Sequence, residues 1–184
     1  LTKNILIKHI EISNGELQVY RNEEKEKGFY TKNINLNLKN VRLNNTKNNS
    51  PLPFLYSDIS LKMGETYAKV SDLYQVEISS FSTTNSTLSI NDIKINPTLS
   101  RKVFNQQIKT EQDYTSCLID HIQLKNTNWK FYNDTVFVKA ENLLIHKLET
   151  ILYRNKYVPD NLSKKKLYSQ VLRDLPFYIN VDSF

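Results

Sequence analysis

The chain has 184 residues, a formal net charge of +6, three glycines and a single cysteine, Cys117. That length buries a substantial core without cross-links, one cysteine makes no internal disulfide, and no apolar run reaches the roughly eighteen residues of a membrane-spanning helix. Basic and acidic residues are interspersed rather than gathered into a basic arm, and no RNA-binding strand motif occurs, so nucleic acid is not an expected partner.

In chain order, the first element is Ile7 to Asn22, IKHIEISNGELQVYRN. Asn14-Gly15 is the favoured type I′ pair, because both central positions take positive φ. The spacing predicts a two-residue hairpin in which Ile12 faces Leu17, Ile10 faces Val19 and His9 faces Tyr20. One face then carries Ile10, Ile12, Leu17 and Val19, and the other His9, Glu11, Gln18 and Tyr20. Glu23 to Lys27 reads as an exposed tip, Ile34, Leu36 and Leu38 as a further alternating strand, and Asn44 to Pro51 as a polar loop. After LPFLYSDISL, from Leu52, the stretches Tyr67 to Val70, Tyr74 to Phe81 and Thr87 to Ile95 read as strands closed by Asn96-Pro97. Leu99 to Thr110 reads as a short helix or an irregular crossing.

Ile119 to Asp134, IDHIQLKNTNWKFYND, then repeats the opening phrase, with Ile, His, Ile, Asn and Tyr coinciding. Counted the same way, Ile122, Leu124, Trp129 and Phe131 share one face, and His121, Gln123, Lys130 and Tyr132 the other. Val136 to Leu148 follows as a strand. Ser163 is an N-cap for a helix to about Leu172, with Lys164, Lys165 and Lys166 in its first turns as a solvated face or a contact for anionic headgroups. LPFYINVDSF, from Leu175, returns the L-P-F opening and carries Asp182 near its middle, as the earlier phrase carries Asp58.

These patterns give one mostly-β segment: repeat unit A at about 5–61, connecting strands at 62–116 and repeat unit B at about 117–184. The expected fold is a repeat-built, curved antiparallel sheet, groove-like or sandwich-like, with one or two short helices. Leu1 stands where an initiator methionine is usual and Phe184 ends an alternating run, so the chain reads as a segment of a longer protein.

No active site has a recognisable spacing. Gly15, Gly28 and Gly64 stand too far apart for a P-loop or a dinucleotide-binding turn, and there is no G-x-S-x-G nucleophile motif. His9, His121 and His146 lack a second ligand at metal spacing, and Asp58 and Asp182 read as strand-end acids. The residues therefore indicate no enzyme, no metal and no cofactor. The aromatic residues read as strand formers and core, and Cys117 as a small buried hydrophobe.

The phrase IKHIEISNGELQVY, its second copy and the LRDLPFYINVDSF close resemble the AsmA-like group of bacterial cell-envelope proteins, and LYQVEISSFSTTNSTLSINDIKINP is similar to large Bacteroidetes envelope proteins of that kind. The resemblance implies a non-enzymatic segment in the periplasm or cell envelope, anchored to the membrane through parts outside these residues. It implies outer-membrane homeostasis and lipid handling, with Ile10, Ile12, Leu17, Val19, Ile122, Leu124, Trp129 and Phe131 facing phospholipid or another acyl-chain ligand in an open groove. Other envelope proteins are implied partners. The competing reading is a closed β-sandwich that binds protein or glycan, in which the same face is a covered core. A hydrolase with paired acids in a polar cleft ranks third.

Overall fold

Ile, Leu, Val, Tyr and Phe alternate with polar residues through most of the sequence, a pattern suited to a pleated surface that is buried on one side. A computed structural model describes residues 5–21, 27–43, 54–132, 135–162 and 177–183. Its strands are β1 (Ile5–Tyr20), β2 (Lys27–Leu43), β3 (Phe54–Leu55), β4 (Asp58–Met63), β5 (Thr66–Lys69), β6 (Tyr74–Ile78), β7 (Ser80–Thr84), β8 (Thr87–Pro97), β9 (Asp113–Lys125), β10 (Asn128–Tyr132), β11 (Thr135–Arg154) and β12 (Phe177–Ser183). One helix, α1 (Arg101–Gln107), lies between β8 and β9. All twelve strand segments belong to one curved sheet, so the expectation of a mostly-β, curved sheet with a short helix holds.

The sheet is a meander of long, interrupted strands. β1 pairs with β2, which pairs with β3, β4 and β5; β4 and β5 pair with β7 and β6; β8 joins these to β9; and β9 and β10 together line β11, every pair antiparallel. β12 alone is parallel, along Val136 to Asn142 of β11. The two L-P-F phrases therefore part company: Phe54 opens an antiparallel neighbour of β2, whereas Phe177 opens a parallel neighbour of β11. Their Leu-Pro pairs lie outside the described residues, as do the loop at 44–50 and the whole helix expected from Ser163 to Leu172.

The two-residue hairpins are not formed. β1 runs straight through Asn14-Gly15, Ile12 pairs with Leu36 rather than Leu17, and His9 pairs with Lys39 rather than Tyr20. In the second copy β9 and β10 lie end to end against β11 in one register, with Asn126-Thr127 between them. Each repeat is thus one long strand, and its hairpin partner is the next strand in the chain. Asn14 and Asn126 do take positive φ, at 53° and 52°. Asparagine tolerates that left-handed conformation in a strand bulge as readily as in a turn, and the pairing partner decides which forms.

What these residues do is change the phase of the strand. Positive φ also occurs at Asn33, Asn40, Asp92 and Lys147. Around each of the six the apolar spacing lengthens from two residues to three: Ile12 to Gly15, Thr31 to Ile34, Leu38 to Val41, Ile90 to Ile93, Leu124 to Thr127 and Ile145 to Leu148. Burial follows the new phase, since Thr31, Leu38, Val41, Leu88, Ile93, Leu124 and Thr127 are all buried. An ordinary strand would turn its apolar set to the other face at such a step. Here one face stays apolar along strands of up to 20 residues.

Phase steps align at one level across the sheet, which takes in Asn33, Asp92 and Lys147, while Asn40 and Asn126 stand away from it. Lys32-Asn33, Gly64-Glu65, Ser79-Ser80, Asn91-Asp92, Asp120-His121 and His146-Lys147 stand at one level on neighbouring strands, and the pairing register is the same on either side of that level. Together they form a polar seam through an otherwise regular meander. Ser79 donates to Asp92 at 2.7 Å, Asn91 Nδ2 donates to Ser80 at 2.8 Å, and Asn91 Oδ1 lies 2.7 Å from His121 Nδ1. An amide oxygen only accepts, so His121 Nδ1 carries the proton in that bond. Lys32 pairs with Glu65 at 3.7 Å, and Asp120 lies 3.8 Å from His146 and 3.9 Å from Lys147. Bulges bend and twist a strand, so a row of them bends the sheet as a unit.

Beyond the seam, Arg154 at the end of β11 grips Asp113 at the start of β9 with two nitrogens and also pairs with Glu111. The Asp113 hydrogen bond and charge raise the guanidinium pKa above its ordinary value, so Arg154 stays charged at any working pH. Ser100 caps α1, whose buried Phe104 meets the Tyr114 ring edge-on at 5.2 Å.

Candidate functional site

Two unbroken rows show how the face is assembled. On one side of the seam Ile12, Leu36, Leu61, Thr83, Leu88, Leu124 and Leu143 stand opposite one another in turn. On the other side the row is Val19, Phe29, Ala68, Val76, Ile95, Cys117 and Thr150. Residues directly opposite in a ladder project to the same face, so the rows join the two repeat copies into one apolar surface. Cys117 is half-buried within it, with Thr150 Oγ1 donating to its sulfur at 3.7 Å.

The surface has a buried floor and exposed flanks. Leu88, Leu124, Val138 and Ala140 form the core cluster, with Phe81, Ile90 and Leu143 against it. Ile12, Leu17 and Val19 on β1 are 46–49% exposed, and Ile145, Leu148 and Leu152 on β11 are 47–60% exposed. Among the described residues no second sheet covers this face.

The structure thus brings Ile10, Ile12, Leu17 and Val19 of β1 and Ile122 and Leu124 of β9 into one sheet, the first set beside β2 and the second between β8 and β11. Trp129 and Phe131 fall on β10, where the backbone sets them opposite Val138 and Val136. Lys164, Lys165 and Lys166 lie outside the described residues. Asp58 and Asp182 are not brought together: Asp58 accepts from Ser57 at 2.7 Å near β2, and Asp182 pairs with Lys139 at 3.6 Å beside β11. His9 and His121 keep equivalent positions in the two copies, but His121 is bound to Asn91 across the seam rather than to a tyrosine.

Sequence reasoning missed the seam and the polar cleft beside it. The cleft holds about 370 Å³ and is bordered by Tyr30, Glu65, Glu77, Ser79, Asp92 and Lys94. Tyr30 stacks on Tyr67 with ring centroids 5.5 Å apart. Each carboxylate is already engaged: Glu65 by Lys32, Glu77 by Gln75 at 3.0 Å and Asp92 by Ser79. Such a cleft, lined among the described residues by three carboxylates, Lys94 and Tyr30, can hydrogen-bond a polar guest. The signal for the seam was present in INDI, IDHI and IHKL, where apolar residues stand three apart inside alternating strands.

Among the described residues no three metal-ligating side chains come together, and no helix is long and apolar enough to cross a membrane. No protein-family model matches the chain, and neither a curated protein nor a solved structure shows significant similarity to it.

Proposed function

We propose that this chain is a non-enzymatic β-groove segment of an AsmA-like envelope protein, working in the periplasm, whose apolar face holds the acyl chains of phospholipid in outer-membrane lipid homeostasis. The observation that supports this reading most strongly is the single apolar face, continuous across both repeat copies and half-exposed along β1 and β11, with no second sheet over it among the described residues. Soluble proteins leave large contiguous apolar surfaces open mainly where something binds. Each methylene removed from water contributes about 0.8 kcal/mol, so ten offer about 8 kcal/mol before the cost of ordering the chain. No specific polar contact is needed for such holding, in keeping with a face lined by Ile, Leu and Val. The longer protein supplies the membrane anchor and meets other envelope proteins.

One observation favours the competing reading of a closed protein- or glycan-binding module: Leu88 and Leu124 are already only 8% and 5% exposed, as in a covered core. Native mass spectrometry of the chain purified from bacterial envelope extract separates the two. Phospholipid adducts that disappear in Ile145→Asp and Leu148→Asp variants support the groove. A lipid-free protein under the same conditions contradicts it.

A further inference from the structure

The two repeat copies present matching residues to different surroundings. In the second copy Cys117, Ile119, Ile122 and Leu124 of β9 are flanked by β11 on one side and by β8 on the other, where Ile95, Ile93, Ile90 and Leu88 stand opposite them. Their counterparts in the first copy are Ile5, Ile7, Ile10 and Ile12 of β1, which among the described residues pair with β2 alone. Ile12 is 46% exposed where Leu124 is 5% exposed. Ile5 and Ile7 are 50% and 37% exposed. The β1–β2 ladder corresponds to the β9–β11 ladder, Ile12 facing Leu36 as Leu124 faces Leu143. The outer edge of β1 therefore has the hydrogen-bonding parity of the edge that β9 gives to β8.

β8 also shows what fits that edge. Its four aliphatic residues stay on one face because Asp92 takes positive φ between Ile90 and Ile93, and its Asn91 accepts from His121. His9 occupies the place of His121, and Lys8 the place of Asp120. Against β9 the Asp92 carboxylate stands at the level of another acid, Asp120; against β1 it would stand at the level of Lys8. A strand of this type would match β1 better in charge than it matches its own neighbour.

We propose that the outer edge of β1 is a docking site for an antiparallel strand of the β8 type, supplied by polypeptide outside these 184 residues. The incoming strand carries aliphatic residues at i, i+2, i+5 and i+7, an asparagine at i+3 for His9 and an aspartate at i+4 for Lys8. Main-chain hydrogen bonds to the edge and burial of Ile5, Ile7, Ile10 and Ile12 hold it. The main-chain edge adjoins the lipid-facing surface and shares Ile10 and Ile12 with it, and a titration run without lipid reads the edge independently of the lipid reading.

The test titrates the whole chain into a fluorescein-labelled peptide with the sequence of Thr87 to Pro97, followed by anisotropy. Saturable binding is expected, weakened about fivefold by Lys8→Glu in the protein or Asp92→Lys in the peptide and recovered when both changes are combined. In a Cys117→Ser protein, Ile10→Cys should form a disulfide with Ile90→Cys in the peptide in preference to Ile7→Cys. Circular dichroism of Lys8→Glu checks that the variant keeps the strand content of the parent protein. Absence of saturable binding, indifference to Lys8→Glu, cross-linking without register preference, or self-association of the chain that excludes the peptide would each overturn the proposal.

Discussion

The two copies of the repeat start from almost the same phrase and end in different circumstances. In β9 the phrase lies inside the sheet, with Leu124 buried between Leu88 and Leu143. In β1 it lies, among the described residues, at the edge, with Ile12 paired to Leu36 alone. Both copies keep the left-handed asparagine at the same place and shift phase there. The local backbone device thus belongs to the repeat, whereas burial belongs to the neighbours. A sequence pattern names the face, and topology decides whether that face is closed.

This contrast can be broken in several ways. The largest effect is all-or-none: with Cys117→Ser as background, the Ile12→Cys and Leu36→Cys pair should oxidise to a disulfide, because cross-strand Cα atoms lie about 4.5–5.5 Å apart, and Ile12→Cys with Leu17→Cys should not. Non-reducing electrophoresis reads the outcome, and the opposite result would restore the two-residue hairpin. Next, Leu124→Ala is expected to lower stability by about 3 kcal/mol and Ile12→Ala by about 1 kcal/mol in urea denaturation, because only the first leaves a cavity in a closed environment. Equal losses would remove the distinction between inner and edge copies. Asn126→Val should cost about 2 kcal/mol, since a β-branched side chain is strained at positive φ, while Asn126→Gly should stay within about 0.5 kcal/mol of the parent. The smallest effect concerns the one left-handed lysine: Lys147→Gly should raise stability by about 0.5 kcal/mol, backbone relief outweighing the exposed ion pair with Asp120. A fall of 1 kcal/mol or more would show that the seam depends on that pair.

Much of the strand content was legible because alternation is a local signal. Thr87 to Ile95 falls inside β8 and Val136 to Leu148 inside β11; Leu99 to Thr110 contains α1. Tyr74 to Phe81 was read as one strand but is divided at Ser79 by the seam. The hairpin was misread because Asn14-Gly15 satisfies a turn and a bulge equally well, and the choice rests on whether β2 or β1 itself supplies the partner. That is a long-range competition, invisible in sixteen residues. The grouping of Ile12 with Leu17, made from a turn that does not form, coincides with the rows traced through β2 for a different reason: a left-handed residue between them shifts the phase by one. The seam itself could have been read from the three-residue apolar spacings in IDHI, INDI and IHKL, had their common level across the sheet been known. The polar cleft could not, since Tyr30, Glu77 and Asp92 meet only through the meander.

Left-handed residues at the phase steps keep one face apolar along the sheet, and the proposed function puts lipid chains on that face. Methyl-resolved NMR with a doxyl-labelled fatty acid tests it directly. Preferential broadening of Ile12, Leu17, Ile145 and Leu148 is expected, with Leu6, Leu118, Leu144 and Ile151, which are 40–73% exposed on the opposite face, largely spared. Equal broadening on both faces, or broadening confined to the second set, would contradict the account.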